Sequence, residues 1–259
     1  MCGEGWGVRL GGYSLHRGEE PPLSGPDPET GREGSGTIFV SGCSLRCLYC
    51  QNAAISQRGL GVEVTPEELA GAYLGLEARG ARNLNWVTPA HALPWLVEAL
   101  AAATERGFGL PVVYNSSGYE RVEVLRLLEG VVDVYLLDLR YASEAAAREG
   151  SGAPDYPAAN AAALREALRQ VGPFREGWYR GLIVRHLVLP GRAGETRAAL
   201  ELVAHELSPA VPVSLMNQYT PKHHAPARPG WDRAPTPEEY GAAVARLEEL
   251  GLTEGWTQS

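Results

Sequence analysis

Six short apolar runs alternate with six helical patterns along this chain, and that rhythm constrains its architecture more than any other feature. The runs are Thr37–Ser41, Leu84–Val87, Pro111–Tyr114, Val131–Leu137, Leu182–Leu189 and Val211–Met216. The spacing predicts helices from Thr65 to Gly80, Pro94 to Glu105, Glu120 to Leu128, Pro157 to Val171, Thr196 to Leu207 and Thr236 to Gly251. Two of them start alike. Thr65-Pro66-Glu67-Glu68 and Thr236-Pro237-Glu238-Glu239 each offer a capping threonine, a proline at the first helical position and a glutamate that closes a capping box. A βα order repeated six times argues for an α/β fold with parallel strands and helices outside. Periodicity leaves two forms open, a doubly wound sheet and a partial barrel.

At 259 residues and 44% hydrophobic content, one enzyme-sized domain is the default. Residues 16–36 are rich in Gly, Pro and charge, so residues 1–36 read as an N-terminal arm and 37–259 as the domain. A second proline-rich stretch, Pro221 to Pro237, contains His223 and His224 and reads either as a lid or as a connector. Adjacent histidines seldom aim at one ion, so this pair reads as a solvated loop.

The formal net charge of -8 gives no basic footprint, which argues against nucleic acid as a partner. The start lacks a charged n-region and an apolar h-region, and no run reaches the ~18 apolar residues of a membrane span. The expectation is a cytoplasmic protein without a membrane partner. In that compartment clustered cysteines point to metal or redox chemistry rather than to disulfides.

Three of the four cysteines, Cys43, Cys47 and Cys50, form a C-x3-C-x2-C triplet directly after the first apolar run. They are too close for a useful disulfide framework and one ligand short of a closed tetrahedral site. Thiolates select zinc, copper(I) or iron-sulfur centres, and iron-sulfur is the first choice because no second C-x2-C or H-x3-H follows. Cys2 lies some forty residues upstream and reads as a bystander.

Active sites of parallel α/β folds lie at the carboxyl ends of strands, so the polar residues after each run carry the next expectation. They are Thr88 and His91 after the second run, Asn115 and Ser117 after the third, and Asp138 with Arg140 after the fourth. Asp138 and Arg140 flank Leu139, so on an extended segment both point to one side. There they can hold a zwitterion, a cation or each other. Asn115 and Ser117 can instead cap the following helix. Arg185 and His186 must face opposite ways; Arg185 is the ligand-side candidate and His186 the packing one. Gln218 and Tyr219 follow the sixth run.

The segment Cys43 to Cys50, with Tyr49 before the last cysteine, resembles the radical S-adenosylmethionine (SAM) superfamily motif C-x3-C-x-aromatic-C. The resemblance implies a (βα)6 partial TIM-like barrel. It implies a 4Fe-4S cluster held by the three cysteines, with SAM on the fourth iron. Asp138-Leu139-Arg140-Tyr141 and Asn115-Ser116-Ser117-Gly118-Tyr119 are similar to segments of glycyl-radical activating enzymes. Longer stretches, among them Gly34 to Cys43, Asn83 to His91, Val113 to Glu120, Ala153 to Pro157, Gly181 to Gly191 and Met216 to Tyr219, resemble the pyruvate formate-lyase activating-enzyme-like (PflX-type) branch.

What the resemblance implies is reductive cleavage of SAM to methionine and a 5'-deoxyadenosyl radical. That radical takes a hydrogen atom from a substrate, for which a glycyl-radical protein is one candidate. The electron comes from a donor such as flavodoxin or ferredoxin. Implied cofactor contacts are Tyr49, Thr88, Asn115, Ser117, Asp138, Arg140, Arg185 and Gln218. One departure stands out: the superfamily's G-G-E segment is absent, and Asn85 and Thr88-Pro89 occupy its place. Two other readings compete, an iron-sulfur electron carrier without SAM chemistry and a zinc-stabilised binding module. The first needs no barrel with polar strand ends, and the second needs a fourth ligand.

Overall fold

The computed structural model describes residues 7–258; Cys2 lies outside them. The chain divides into two compact units, residues 1–44 with 52–115 and residues 45–51 with 116–259.

In the first unit the elements are β1 (Val8–His16), α1 (Pro21–Ser24), β2 (Ser35–Val40), α2 (Ala53–Ser56), β3 (Val62–Val64), α3 (Pro66–Ala78), β4 (Leu84–Val87), α4 (Leu93–Glu105) and β5 (Val112–Ser116). Strand order is β3-β1-β2-β4-β5. β2, β4 and β5 run parallel, with Thr37 opposite Asn85 and Val87 opposite Asn115. β1 is antiparallel to both its neighbours. Ile38, Leu84, Trp86 and Tyr114 on the strands and Leu76 and Leu96 on the helices are fully buried, and the three parallel strands are covered on both faces rather than on one. The expected capping box of α3 is present: Glu68 N donates to Thr65 Oγ1 at 3.2 Å, and Thr65 N donates to Glu68 Oε2 at 2.8 Å.

The arm contains more order than its composition suggests. Val8–His16 is a nine-residue strand, broken by a register shift between Leu10 and Gly12. Its two central glycines hide it from a search for apolar alternation. Leu23 is fully buried and its carbonyl accepts from Asn83 Nδ2 at 2.8 Å.

In the second unit the elements are α5 (Val122–Leu127), β6 (Val134–Asp138), α6 (Glu144–Ser151), α7 (Tyr156–Val171), β7 (Gly181–Leu187), α8 (Ala193–Leu202), β8 (Val213–Met216), α9 (Pro237–Glu249) and β9 (Gly255–Thr257). β6, β7, β8 and β9 lie in that order, all parallel. Along the chain, β2-α3, β4-α4, β5-α5, β6-α7, β7-α8 and β8-α9 are the six βα units expected. The fold is α/β with parallel strands, the element order on which a partial TIM-like barrel is built. Where one helix is expected from Thr196 to Leu207, α8 ends at Leu202 and a π-helical turn covers Val203–Leu207.

An ion-pair network ties α7 to its surroundings. Glu166, 4% exposed at its side chain, accepts from Arg169 and Gln170, with Arg126 3.6 Å away. Hydrogen bonds from Arg169 hold its carboxyl at about 2, against 4.5 ordinarily. A depressed carboxyl stabilises the fold above its unfolded pKa, and that contribution fades as pH falls from about 4.5 towards 2. Arg169 is half exposed, so solvent screening reduces the effect to about 1–2 kcal/mol. Glu166→Gln is expected to lose that much in urea denaturation at pH 7, with the gap to the native protein narrowing below pH 4.5. A gap unchanged between pH 7 and pH 4 contradicts the assignment.

Candidate active site

The cysteine segment is bound on two sides by its own unit. Arg46 N donates to Ser151 O at 3.1 Å and Leu48 N to Gly150 O at 2.9 Å, so the end of α6 grips one edge. Leu48 O accepts from His224 N at 2.8 Å and Ala225 N at 3.0 Å, so the proline-rich loop grips the other. That loop, expected as lid or connector, is a strap on the cysteines. Trp231 completes it: fully buried, it stacks on Tyr49 with ring centroids 5.5 Å apart and planes at 14°. Its Nε1 donates to Glu149 Oε1 at 2.7 Å, and Arg192 lies 3.6 Å above its ring.

Cys47 is 3% exposed, and its sulfur accepts two hydrogen bonds, from Ser151 Oγ at 2.9 Å and Arg140 Nη1 at 3.0 Å. Arg140 in turn donates through Nε and Nη2 to Asp138 Oδ2 at 3.0 and 2.6 Å. Of the options open to Asp138 and Arg140, the structure shows them holding each other, and the cation also reaches a cysteine. Burial disfavours the charge on Arg140, but Cys47 and Asp138 outweigh it and hold its pKa above the ordinary arginine value. The guanidinium is a fixed positive charge beside the sulfur.

Tyr156, which sequence reasoning passed over, positions this strand end. Its hydroxyl accepts from Arg140 N at 3.0 Å and faces the carbonyls of Ser117 at 2.7 Å and Asp138 at 2.9 Å. Gly118 has φ +69°, and a Cβ there would lie 2.6 Å from Asp138 O and closer still to Asn160 Nδ2. Only glycine fits that turn.

Tyr49 is buried, with its hydroxyl 2.8 Å from Tyr141 Oη and its ring also 5.4 Å from Tyr219. Burial pushes its phenol well above the usual range. Ser117 Oγ accepts from Tyr119 N at 3.4 Å, a local turn contact. Arg185 pairs in register with Asp138, and its carbonyl accepts from Leu139 N at 2.8 Å. Gln218 is exposed and donates to Met216 Sδ at 3.0 Å. His186 is a satisfied core residue. Its Nδ1 lies 2.7 Å from Leu139 O and must donate, so Nε2, 3.0 Å from Thr196 Oγ1, accepts; burial lowers its pKa and keeps it neutral.

In the first unit Thr88 has φ +56°, unusual for a β-branched residue, and its N–H donates to Asn115 O at 2.8 Å. Asn85 Nδ2 donates to Glu19 Oε1 at 3.1 Å and to Ser35 Oγ at 3.0 Å, whereas its buried Oδ1 has no partner among the described residues. Asn115 Nδ2 lies 3.5 Å from the same Glu19 oxygen. His91 Nε2 donates to Ser41 O at 2.7 Å, fixing the backbone two residues before Cys43.

The sequence model of the radical SAM superfamily matches residues 37–201, more than half of the chain. The chain belongs to the radical SAM superfamily. It is 29% identical over 249 residues to the uncharacterized protein MJ0674 of Methanocaldococcus jannaschii, covering 92% of this chain and 66% of that one. Among solved structures it is similar to native anSMEcpe with bound AdoMet, at TM-score 0.56 and 10% identity, over 81% of this chain and 57% of that one. HydG, a maturase of the [FeFe]-hydrogenase, gives TM-score 0.54 and 16% identity over 83% and 48%. At these identities the likeness shows the fold. The chain spans about two thirds of the relative's length and about half that of the structures.

A radical SAM enzyme cleaves SAM with a 4Fe-4S cluster and needs a one-electron donor, so membership favours this reading over an electron carrier or a zinc module. Among the described residues no helix is long and apolar enough to cross a membrane. The donor set fits such a cluster by its chemistry: three thiols at the family spacing, with cationic and hydroxyl donors on the Cys47 sulfur. Among the described residues no three His, Cys, Asp or Glu side chains are already gathered as around an ion. Ligand assignment therefore rests on spacing and on the surroundings of Cys47.

Proposed function

We propose that this enzyme generates a 5'-deoxyadenosyl radical on residues 37–259 and uses it to abstract a hydrogen atom from a glycyl-radical protein. The single observation that carries the radical chemistry is the environment of Cys47, whose sulfur receives Arg140 and Ser151 at 3.0 and 2.9 Å. Cys43, Cys47 and Cys50 hold the cluster. When bound, cluster and SAM together supply the reductive carbon-sulfur cleavage.

The chain's own residues bind and orient. Arg140, with donors in a rigid fork and Asp138 beside it, would take the SAM carboxylate. Asn85 and Thr88 stand in the sequence where the G-G-E segment is missing. Tyr49, Asn115, Ser117, Arg185 and Gln218 are further cofactor contacts on resemblance alone. The proposed electron donor is a flavodoxin or ferredoxin. A protein substrate is favoured by Asp138-Leu139-Arg140-Tyr141 and Asn115-Ser116-Ser117-Gly118-Tyr119, similar to activating-enzyme segments.

Anaerobic reconstitution with iron and sulfide, followed by electron paramagnetic resonance of the reduced protein, tests the first step. The spectrum is expected to change on adding SAM, and dithionite to yield 5'-deoxyadenosine. An unresponsive spectrum without that product refutes the radical chemistry. Incubation with candidate glycyl-radical proteins tests the second: a glycyl doublet supports activation, and 5'-deoxyadenosine formed without one in any candidate points to a small-molecule substrate.

A further inference from the structure

Cys47 terminates a buried line of hydroxyl groups. Its sulfur is 2.9 Å from Ser151 Oγ, which is 2.7 Å from Tyr141 Oη, which is 2.8 Å from Tyr49 Oη. Cys47, Ser151, Tyr141 and Tyr49 are 3%, 2%, 0% and 6% exposed, so protein rather than bulk water surrounds the line. Each hydroxyl has a single proton to give. A sulfur ligating iron only accepts, so Ser151 must donate to it. Ser151 then accepts from Tyr141, and Tyr141 from Tyr49. One end of the line fixes the direction of all three bonds.

Aligned donors in a low-dielectric interior polarise one another. Hydrogen bonds to cluster sulfurs are among the features that set reduction potential. Adding an electron makes those sulfurs more negative, so a donor aimed at one of them favours the reduced form. We propose that Ser151, oriented by Tyr141 and Tyr49, raises the reduction potential of the cluster that Cys47 holds. The proposal rests on the reading of Cys47 as a cluster ligand. The step is a one-electron reduction by the external donor, in which no bond breaks and no proton moves. Ser151 is a positioning residue, acting through Cys47. The line also gives the aromatic residue before Cys50 a reason to be tyrosine: phenylalanine keeps the stacking on Trp231 and loses the outermost O–H.

The test compares the full-length native protein with Ser151→Ala, Ser151→Thr and Tyr141→Phe, all reconstituted anaerobically. Iron content and the response of the resonance spectrum to SAM are read first, then the cluster midpoint by potentiometric titration. Ser151→Ala is expected to carry a full cluster whose reduced-to-oxidised ratio at fixed potential falls about tenfold, a shift of about 59 mV to the negative for one electron. Tyr141→Phe is expected to move the same way by less, and Ser151→Thr to stay at the native value. A fully loaded Ser151→Ala protein with the native midpoint overturns the inference, as does an equal shift in the alanine and threonine variants. If Ser151→Ala holds no cluster, Tyr141→Phe decides, and an unchanged midpoint there overturns it. A native protein without a SAM-responsive cluster instead refutes the reading of Cys47, and the inference with it.

Discussion

Replacing Cys47 with alanine is expected to abolish cluster assembly and SAM cleavage together. Two remaining thiols cannot hold three irons, and a buried sulfur that accepts two hydrogen bonds is removed. The substitution also strips an acceptor from Arg140 and Ser151, at a cost of about 1–3 kcal/mol for unsatisfied buried donors. Cys47→Ser separates the two effects. Its oxygen still accepts from both partners, so the fold is expected to keep near-native stability while binding no more iron than the alanine variant. Iron content, circular dichroism and 5'-deoxyadenosine yield are the measurements. Native yield from either variant removes Cys47 from the ligand set.

Trp231→Ala is expected to destabilise the fold strongly. The indole is fully buried, and it joins Tyr49, Glu149, Arg192 and, through its carbonyl, Tyr219 Oη at 2.7 Å. Truncating such a side chain costs about 3–5 kcal/mol, part transfer and part cavity. Because the loop that carries it also supplies His224 N and Ala225 N to Leu48, the loss extends to the cysteine segment. Urea denaturation is expected to show an earlier midpoint, and limited proteolysis new cleavage between residues 219 and 233. Trp231→Phe, which keeps the stacking and loses the bond to Glu149, is expected to fall between. An unshifted midpoint for the alanine variant rules out the strap.

Much of this architecture is legible in the sequence because its signals are local. The βα rhythm, the two capping boxes and the apolar runs each occupy a few consecutive residues, and tertiary packing reinforces them. β1 escaped because Gly11 and Gly12 interrupt it where the register shifts, and β3 and β9 because three residues carry no readable period. The cysteine triplet and the alternation of Asp138 with Arg140 are local too, and the latter correctly implies that the two share a side. Ser151 and Trp231 are not. Ser151 meets Cys47 across 104 residues of chain, and nothing in a serine at the end of an alanine-rich helix announces that encounter. Glu149 and Arg192 resemble any solvated surface charge until the indole between them is seen.

The strap has a consequence for the order in which the protein is made. Leu48 receives its two amide partners from residues about 180 positions later in the chain, which at ~5–20 residues per second are synthesised roughly 10–35 s afterwards. During that interval Cys47 and Cys50 leave the ribosome without the loop that holds them. An iron-sulfur donor acting before Trp231 emerges meets loose thiols, and one acting afterwards meets a segment already gripped on both edges. The distance along the chain between the cysteines and their strap thus sets how long the first state lasts.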